Sequence, residues 1–217
     1  MTSDFIPFQK IPRLNREVIV TEKLDGTSGV VYIGEDGSIR AGSRNRWITP
    51  TDDNYGFAKW VEANKEELLK LGPGRHFGEY WGGGIQRGYG LKEKRFSLFN
   101  VGRWTSRMTG GVFQMDGEHQ VPGPKCCHVV PTIWRGDFNS FDARDFVEML
   151  RVNGSFAAPG FMKPEGIVLY HTAAEKCFKV TLEGDEKPKG LEKAISSEQL
   201  AAGKAAADEV FRQKCEQ

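Results

Sequence analysis

The patterned part of the chain opens on a β-branched run, Val18-Ile19-Val20-Thr21-Glu22, and a second run follows at Gly29–Ile33. Both read as strands, because branched side chains fit a pleated, half-buried surface. Glu35-Asp36-Gly37 is a turn whose glycine tolerates positive φ, and Ser38–Ala41 returns from it as a third strand. The spacing then changes. Phe57, Trp60, Val61, Leu68 and Leu69 recur at helical intervals, with Asp52, Asp53 and Asn54 as N-cap candidates and Gly72-Pro73-Gly74 as the stop. His76–Trp81 reads as a short strand, followed by a flexible glycine loop from Gly82 to Gly90 that forms a mobile rim. Ser97–Val101 and Cys127–Ile133 are further strands, Ser140 caps a second amphipathic helix ending near Asn153-Gly154, and Gly166–Tyr170 with Cys177–Leu182 forms a closing hairpin.

Beyond Leu182 the composition shifts to a charged linker, Gly184–Gly190, and then to an alanine-, lysine- and glutamate-rich stretch, Leu191–Cys215, which predicts one or two C-terminal helices. The expected organisation is therefore one domain over residues 1–183 and a linker with a helical tail over 184–217. At 217 residues the chain can bury one substantial core. A formal charge of +1, from 30 basic and 29 acidic residues, confines any nucleic-acid contact to a local basic surface.

Cys126, Cys127, Cys177 and Cys215 form no paired framework, and no N-terminal apolar run has signal-peptide length. A cytoplasmic protein is expected, without a membrane partner, since no stretch approaches the ~20 apolar residues a bilayer requires. Cys126-Cys127-His128 lacks the second ligand pair that a structural zinc needs.

The chemistry-bearing residues sit in short, separated β-edge segments. Lys23-Leu24-Asp25-Gly26 places an amine at a strand end, followed by an acid and a glycine, a layout suited to holding that amine against a nucleotide phosphate. Ser43-Arg44-Asn45-Arg46, Phe77-Gly78-Glu79-Tyr80, Phe96-Ser97-Leu98-Phe99, Glu165-Gly166-Ile167-Val168 and Phe178-Lys179 add cations, carboxylates and an aromatic ring. An unperturbed lysine, with pKa ~10.4, is protonated at neutral pH, so attack by Lys23 requires activation by desolvation or by nearby cations such as Lys179 and Arg44. Arg75, His76, Arg87, Lys92, Lys94, Arg95, Arg103 and Arg107 are interleaved with Trp81, Tyr89 and Trp104, a mix that reads either as a strand-binding surface or as a solvated face.

In this order the segments resemble the covalent nucleotidyltransferase superfamily of polynucleotide ligases and messenger-RNA capping enzymes, and look most like small ATP-dependent RNA ligases of the RNA ligase 2-like branch. The resemblance spans residues 21–182 and implies an α+β adenylyltransferase fold, antiparallel β-sheets flanked by helices with the ATP cleft between them. It implies three steps: Lys23 attacks the α-phosphate of ATP to give enzyme-lysyl-AMP, AMP passes to an RNA 5′-phosphate, and a 3′-hydroxyl displaces it. By the same resemblance Lys23, Glu165 and Lys179 are catalytic. Glu22, Lys23, Asp25, Gly26, Arg44, Glu79, Phe99, Glu165 and Lys179 surround the nucleotide, with Glu79 on the ribose and Phe99 on the adenine. Arg44 touches the ribose or the incoming RNA 5′-phosphate, and Glu165 helps hold Mg²⁺, or Mn²⁺ in its place, through water, or orients Lys23; Arg46 reads either as an RNA-phosphate contact or as a charge flanking the strand.

Three departures from the family pattern qualify the match. Cys177 occupies the place of the earlier of two motif V lysines, and Lys176, displaced by one residue, projects from the opposite face of a strand. Asn100 stands where an acid is frequent. The segment after Lys179 is too short for the OB domain of DNA ligases and capping enzymes, which leaves nucleic-acid contacts to an accessory protein or an oligomer. The alternatives are a DNA nick ligase relying on partner proteins and a catalytically inactive nucleic-acid-binding relic.

Overall fold

The chain divides into two compact units, Met1–Glu183 and Gly184–Gln217. A computed structural model describes residues 8, 10–107 and 111–183, all within the first unit. The expected linker and helical tail lie outside the described residues.

Thirteen strands are present among the described residues: β1 (Glu17–Lys23), β2 (Thr27–Ile33), β3 (Ile39–Ser43), β4 (Trp47–Ile48), β5 (Gly74–Gly82), β6 (Lys94–Leu98), β7 (Thr105–Ser106), β8 (Val112–Asp116), β9 (His119–Pro122), β10 (Cys127–Val129), β11 (Thr132–Asp137), β12 (Gly166–His171) and β13 (Lys176–Thr181). They build a four-stranded sheet in the order β11-β1-β12-β13, a six-stranded sheet in the order β10-β6-β5-β2-β3-β4, and a small sheet β7-β8-β9. All pairings are antiparallel except β10 with β6. The helices are few: α1 (Phe57–Ala63), α2 (Lys65–Leu68) and α3 (Ala143–Asn153).

Period-two alternation decides which face of each sheet is covered. On the six-stranded sheet Val31, Ile33, Ala41, Tyr80, Phe96 and Leu98 point one way and are sealed by Phe57, Val61 and Leu68 of α1 and α2. Full burial of side chains this size contributes roughly 1.5–3 kcal/mol each. On the four-stranded sheet Val20 and Ile167 pack against Phe146 and Leu150 of α3.

Several boundaries depart from expectation for local reasons. The first helix breaks at Asn64, whose side chain donates to the Trp60 carbonyl at 2.8 Å, and Gly56 with φ of 83° occupies its N-cap. Asp53 still serves that end, accepting from the Ala58 and Lys59 N–H groups at 2.7 and 3.1 Å. The cap of α3 is Asp142, which accepts from Arg144 N–H at 2.9 Å, because Phe138–Ser140 is already wound into a 3-10 turn. The expected strand Cys127–Ile133 splits at Val130-Pro131, where the chain leaves the six-stranded sheet as β10 and enters the four-stranded sheet as β11. Pro131 has no N–H for a ladder, and its carbonyl accepts from Glu22 N–H at 2.9 Å. The small sheet β7-β8-β9 escaped the sequence reading because it is short and largely polar. Its only sequence signal is the turn at Asp116-Gly117.

Candidate active site

Lys23 is the last residue of β1, and its register partner is Gly166, the first residue of β12. That pairing brings Glu165 beside the lysine, and Lys23 Nζ donates to Glu165 Oε2 at 2.6 Å with both side chains partly shielded from solvent. The sequence separation is 142 residues, so only the sheet register joins them.

The turn after Lys23 is clamped from below. Leu24 is buried with Trp81, Tyr89, Val130 and Ala158. Asp25 N–H donates to the Tyr89 hydroxyl at 2.9 Å, Arg87 Nε donates to Asp25 Oδ2 at 2.9 Å, and Gly26 N–H donates to Glu79 Oε1 at 3.2 Å. A Cβ at Gly26 would lie 2.4 Å from the Tyr80 carbonyl oxygen, which is why only glycine lets the turn lie on β5. The 82–90 segment, expected as a mobile rim, is a packed clasp: Ile85 and Tyr89 are buried, and Tyr89 holds a left-handed φ of 52° to place its hydroxyl under Asp25.

Glu79 faces Ser28 of β2 and Ser97 of β6. Burial raises its carboxyl pKa to about 7, opposed by the positive charge of Lys23 and the Gly26 hydrogen bond, reinforced by the negative charge of Glu165 and opposed again by Arg44. Three other sequence-predicted residues, Lys23, Glu165 and Arg44, therefore act on the Glu79 carboxyl through their charge. Arg44 reaches the same row through a 3.4 Å hydrogen bond to Ser28 Oγ. Phe99 lies just past β6, its N–H bonded to the Phe77 carbonyl at 3.0 Å, and its ring is 44 % exposed on the Glu79 side of the sheet rather than in the core. Asn100 does local work, accepting from Arg103 N–H at 3.0 Å.

On β13, Lys179 pairs with Val168, which pairs with Thr21, so Lys179 projects from the same face of the four-stranded sheet as Lys23. Cys177 shares that face, whereas Lys176 stands on the other. Two predicted residues lie apart from the cluster. Glu22, one residue before Lys23 and 1 % exposed, points to the opposite face, where Oε2 accepts from Ala157 N–H at 2.9 Å. Burial raises its pKa, offset by hydrogen bonds from Ser155, Ala157 and Phe156. Arg46 forms an exposed, two-pronged ion pair with Asp52. Sequence reasoning missed Arg87 and Tyr89 as supports, because nothing local links them to Asp25.

No group of three or more potential metal ligands occurs among the described residues. The carboxylate of Glu165 suits Mg²⁺, which keeps several waters and is completed by substrate phosphates rather than by a protein cage. A cavity of about 390 Å³ lined by Trp81, Arg95, Trp104, His128 and Phe156 contains none of Lys23, Glu79 and Glu165. Trp81, Tyr89 and Trp104, offered by the sequence as stacking surfaces, are buried. No helix among the described residues is long and apolar enough to cross a membrane.

The antiparallel sheets, with the lysine–carboxylate cluster at the end of β1 beside Glu79 of β5, define a nucleotidyltransferase-type fold. Residues 16–181 match the family model for RNA ligase, and the chain belongs to that family. No curated protein matches the sequence. Solved structures of Naegleria gruberi RNA ligase superpose on it. An apo mutant has a TM-score of 0.54 at 23 % identity over 78 % of this chain and 50 % of that one. A mutant with ATP and Mn has 0.54 at 22 %, over 77 % and 50 %, and the ligase with PPi has 0.52 at 22 %, over 83 % and 57 %. The chain thus spans about half the length of that ligase, and the likeness is one of fold.

Proposed function

We propose that this chain is an ATP-dependent RNA ligase that joins 5′-phosphate and 3′-hydroxyl ends through an adenylate carried on Lys23. The observation that carries the reading is the 2.6 Å contact of Lys23 with Glu165 beside Glu79, in a chain of the RNA ligase family. Solved forms of the Naegleria ligase with ATP and Mn, or with PPi, support the same cofactor and first product here.

In the first step Lys23 gives up a proton to solvent, Glu165 orients the amine, and its lone pair attacks the α-phosphorus of ATP. An N–P bond forms as the α–β bridging P–O bond breaks, and pyrophosphate leaves with the electron pair. The backbone turn held by Tyr89, Arg87 and Glu79 fixes the amine for that attack. Arg44 and Lys179 offset the charge gathering on the phosphate oxygens, Glu79 accepts from a ribose hydroxyl, and Phe99 stacks on the adenine. Glu165, through water, would hold a divalent cation, which would supply positive charge against the charge of the leaving pyrophosphate. In the second step an oxygen of the RNA 5′-phosphate attacks the same phosphorus and the amine departs with the electron pair of the N–P bond. In the third, the 3′-hydroxyl attacks the 5′-phosphate and AMP leaves.

Glu22 acts in this scheme by holding the 155–158 segment behind β1. Arg46 meets RNA only after exchanging Asp52 for a phosphate. Residues 1–183 form the adenylyltransferase domain and 184–217 its linker and tail, acting in the cytoplasm with an accessory protein or a second copy supplying further contacts.

Incubation with α-labelled ATP and Mg²⁺ should label the wild type covalently and leave Lys23→Ala unlabelled. Equal labelling of both, or of neither, refutes the reading. Sealing assays on matched RNA, DNA and hybrid nicks test the substrate, and activity confined to DNA would replace RNA ligase with a DNA nick ligase.

A further inference from the structure

The six-stranded sheet has a second face, opposite the one sealed by α1 and α2, and its rows can be read from the register. Trp47 pairs with Gly42, Gly42 with Val30, Val30 with Phe77, and Phe77 with Phe99 through the backbone hydrogen bond. One pleat along, Arg40 pairs with Tyr32 and Tyr32 with Arg75. A row carrying three rings, Trp47, Phe77 and Phe99, with Gly42 and Val30 between the first two, therefore runs from β4 to the end of β6 beside the row of Arg40, Tyr32 and Arg75, and it lies next to the row of Ser28, Glu79 and Ser97 that borders Lys23.

The rings are open to solvent: Trp47 is 39 % and Phe77 56 % exposed. Planar groups are layered on one another, with the Arg40 guanidinium 4.2 Å from the Trp47 ring centre and that of Arg75 5.2 Å from Tyr32, while Trp47 and Tyr32 lie 6.0 Å apart. Gly42 makes room for this arrangement, because a Cβ there would come within 3.1 Å of the Trp47 ring. Among the described residues no carboxylate pairs with Arg40 or Arg75. Exposed rings, and arginines without a carboxylate partner, on one sheet face match the two parts of an unpaired nucleic acid strand, its bases by stacking and its phosphates by charge. A paired helix would hide the base faces that this surface contacts.

We propose that this face is a single-strand platform, on which Trp47, Tyr32 and Phe77 stack unpaired RNA bases while Arg40 and Arg75 hold the intervening phosphates, guiding a strand toward Lys23. The identity of the occupant as RNA rests on the ligase reading, whereas the stacking geometry stands apart from it. The surface thereby selects ends carrying an unpaired tract.

The test is a fluorescence-anisotropy titration of the full chain with a 5′-phosphorylated, unstructured oligoribonucleotide, repeated with the duplex of the same sequence. Trp47→Ala should bind the single strand about tenfold more weakly, and Trp47→Phe should retain most of the affinity, since one base stack is lost in the first and kept in the second. The exposed substitutions Arg40→Ala and Arg75→Ala should each weaken binding and lower the salt slope of log K by about 0.7. Wild-type affinity and slope in all of these variants overturns the proposal, as does tighter binding of the duplex. So does a Trp47→Ala chain that sediments as a smaller species with its RNA affinity intact, which would make a second copy the occupant. Adenylylation of the wild type in the same preparation separates the two readings. No covalent AMP with the tenfold effect at Trp47 refutes the ligase and supports the platform.

Discussion

Replacing Glu79 by glutamine is expected to stabilise the folded protein while disabling it. The Glu79 carboxyl loses hydration on burial and takes a pKa of about 7 from an ordinary value of 4.5. Below about pH 4.5 the group is neutral in both states and contributes no difference. Between 4.5 and about 7 the unfolded chain ionises while the folded protein keeps its proton, so unfolding releases a proton and stability falls as pH rises. Above about 7 both states are ionised, and the folded state carries the full penalty of about 3 kcal/mol. Glutamine keeps the acceptor for Gly26 N–H but never ionises. Urea denaturation of the nucleotide-free protein at pH 4.5, 6 and 8 should therefore show no difference at the lowest pH and a Glu79→Gln advantage of about 3 kcal/mol at the highest. Parallel stability curves for the two proteins across this range would refute the assignment of a raised pKa to Glu79. Covalent AMP formation by the variant should be low throughout and lack the rise that the wild type shows as Glu79 ionises near pH 7, because the carboxylate that accepts from the ribose is gone.

Phe99→Ala should weaken ATP use by about 1–3 kcal/mol of lost stacking, read as a raised KM in the adenylylation assay, and should barely alter stability because the ring is exposed. An unchanged KM removes Phe99 from the nucleotide site. Lys176→Ala should leave the rate of AMP transfer to Lys23 untouched, whereas Cys177→Lys, on the face shared with Lys23 and Lys179, should raise it; a slowed Lys176→Ala would mean that the strand register misjudges that lysine. Gly26→Ala drives a methyl against the Tyr80 carbonyl and should cost about 2 kcal/mol or more in a melting experiment, together with most of the adenylylation rate. Retention of both would show that the turn does not lie on β5 as described.

Local pattern by itself determined the strand that ends in Lys23, the turn at Glu35-Asp36-Gly37, the closing hairpin and the order of the chemical segments. Each depends on neighbours within a few residues: a β-branched run, a glycine free to take positive φ, or period-two alternation. The alternation even separated Lys176 from Lys179. Tertiary structure decided the rest. Lys23 meets Glu165 through the β1–β12 register, and Glu79 meets Gly26 because a loop folds across β5, contacts that span 142 and 53 residues. Aromatic residues defeated the sequence reading most plainly. Trp81, Tyr89 and Trp104 stand among basic residues yet are core, while Trp47 and Phe77 stand in mixed surroundings yet face solvent. Whether a ring is buried depends on what a distant segment lays over it: Trp81 shares its face of β5 with exposed Phe77, yet Leu24, Tyr89 and Ala158 cover it. A strand's alternation says that its two faces differ, but only packing between remote segments says which of them is open to a ligand.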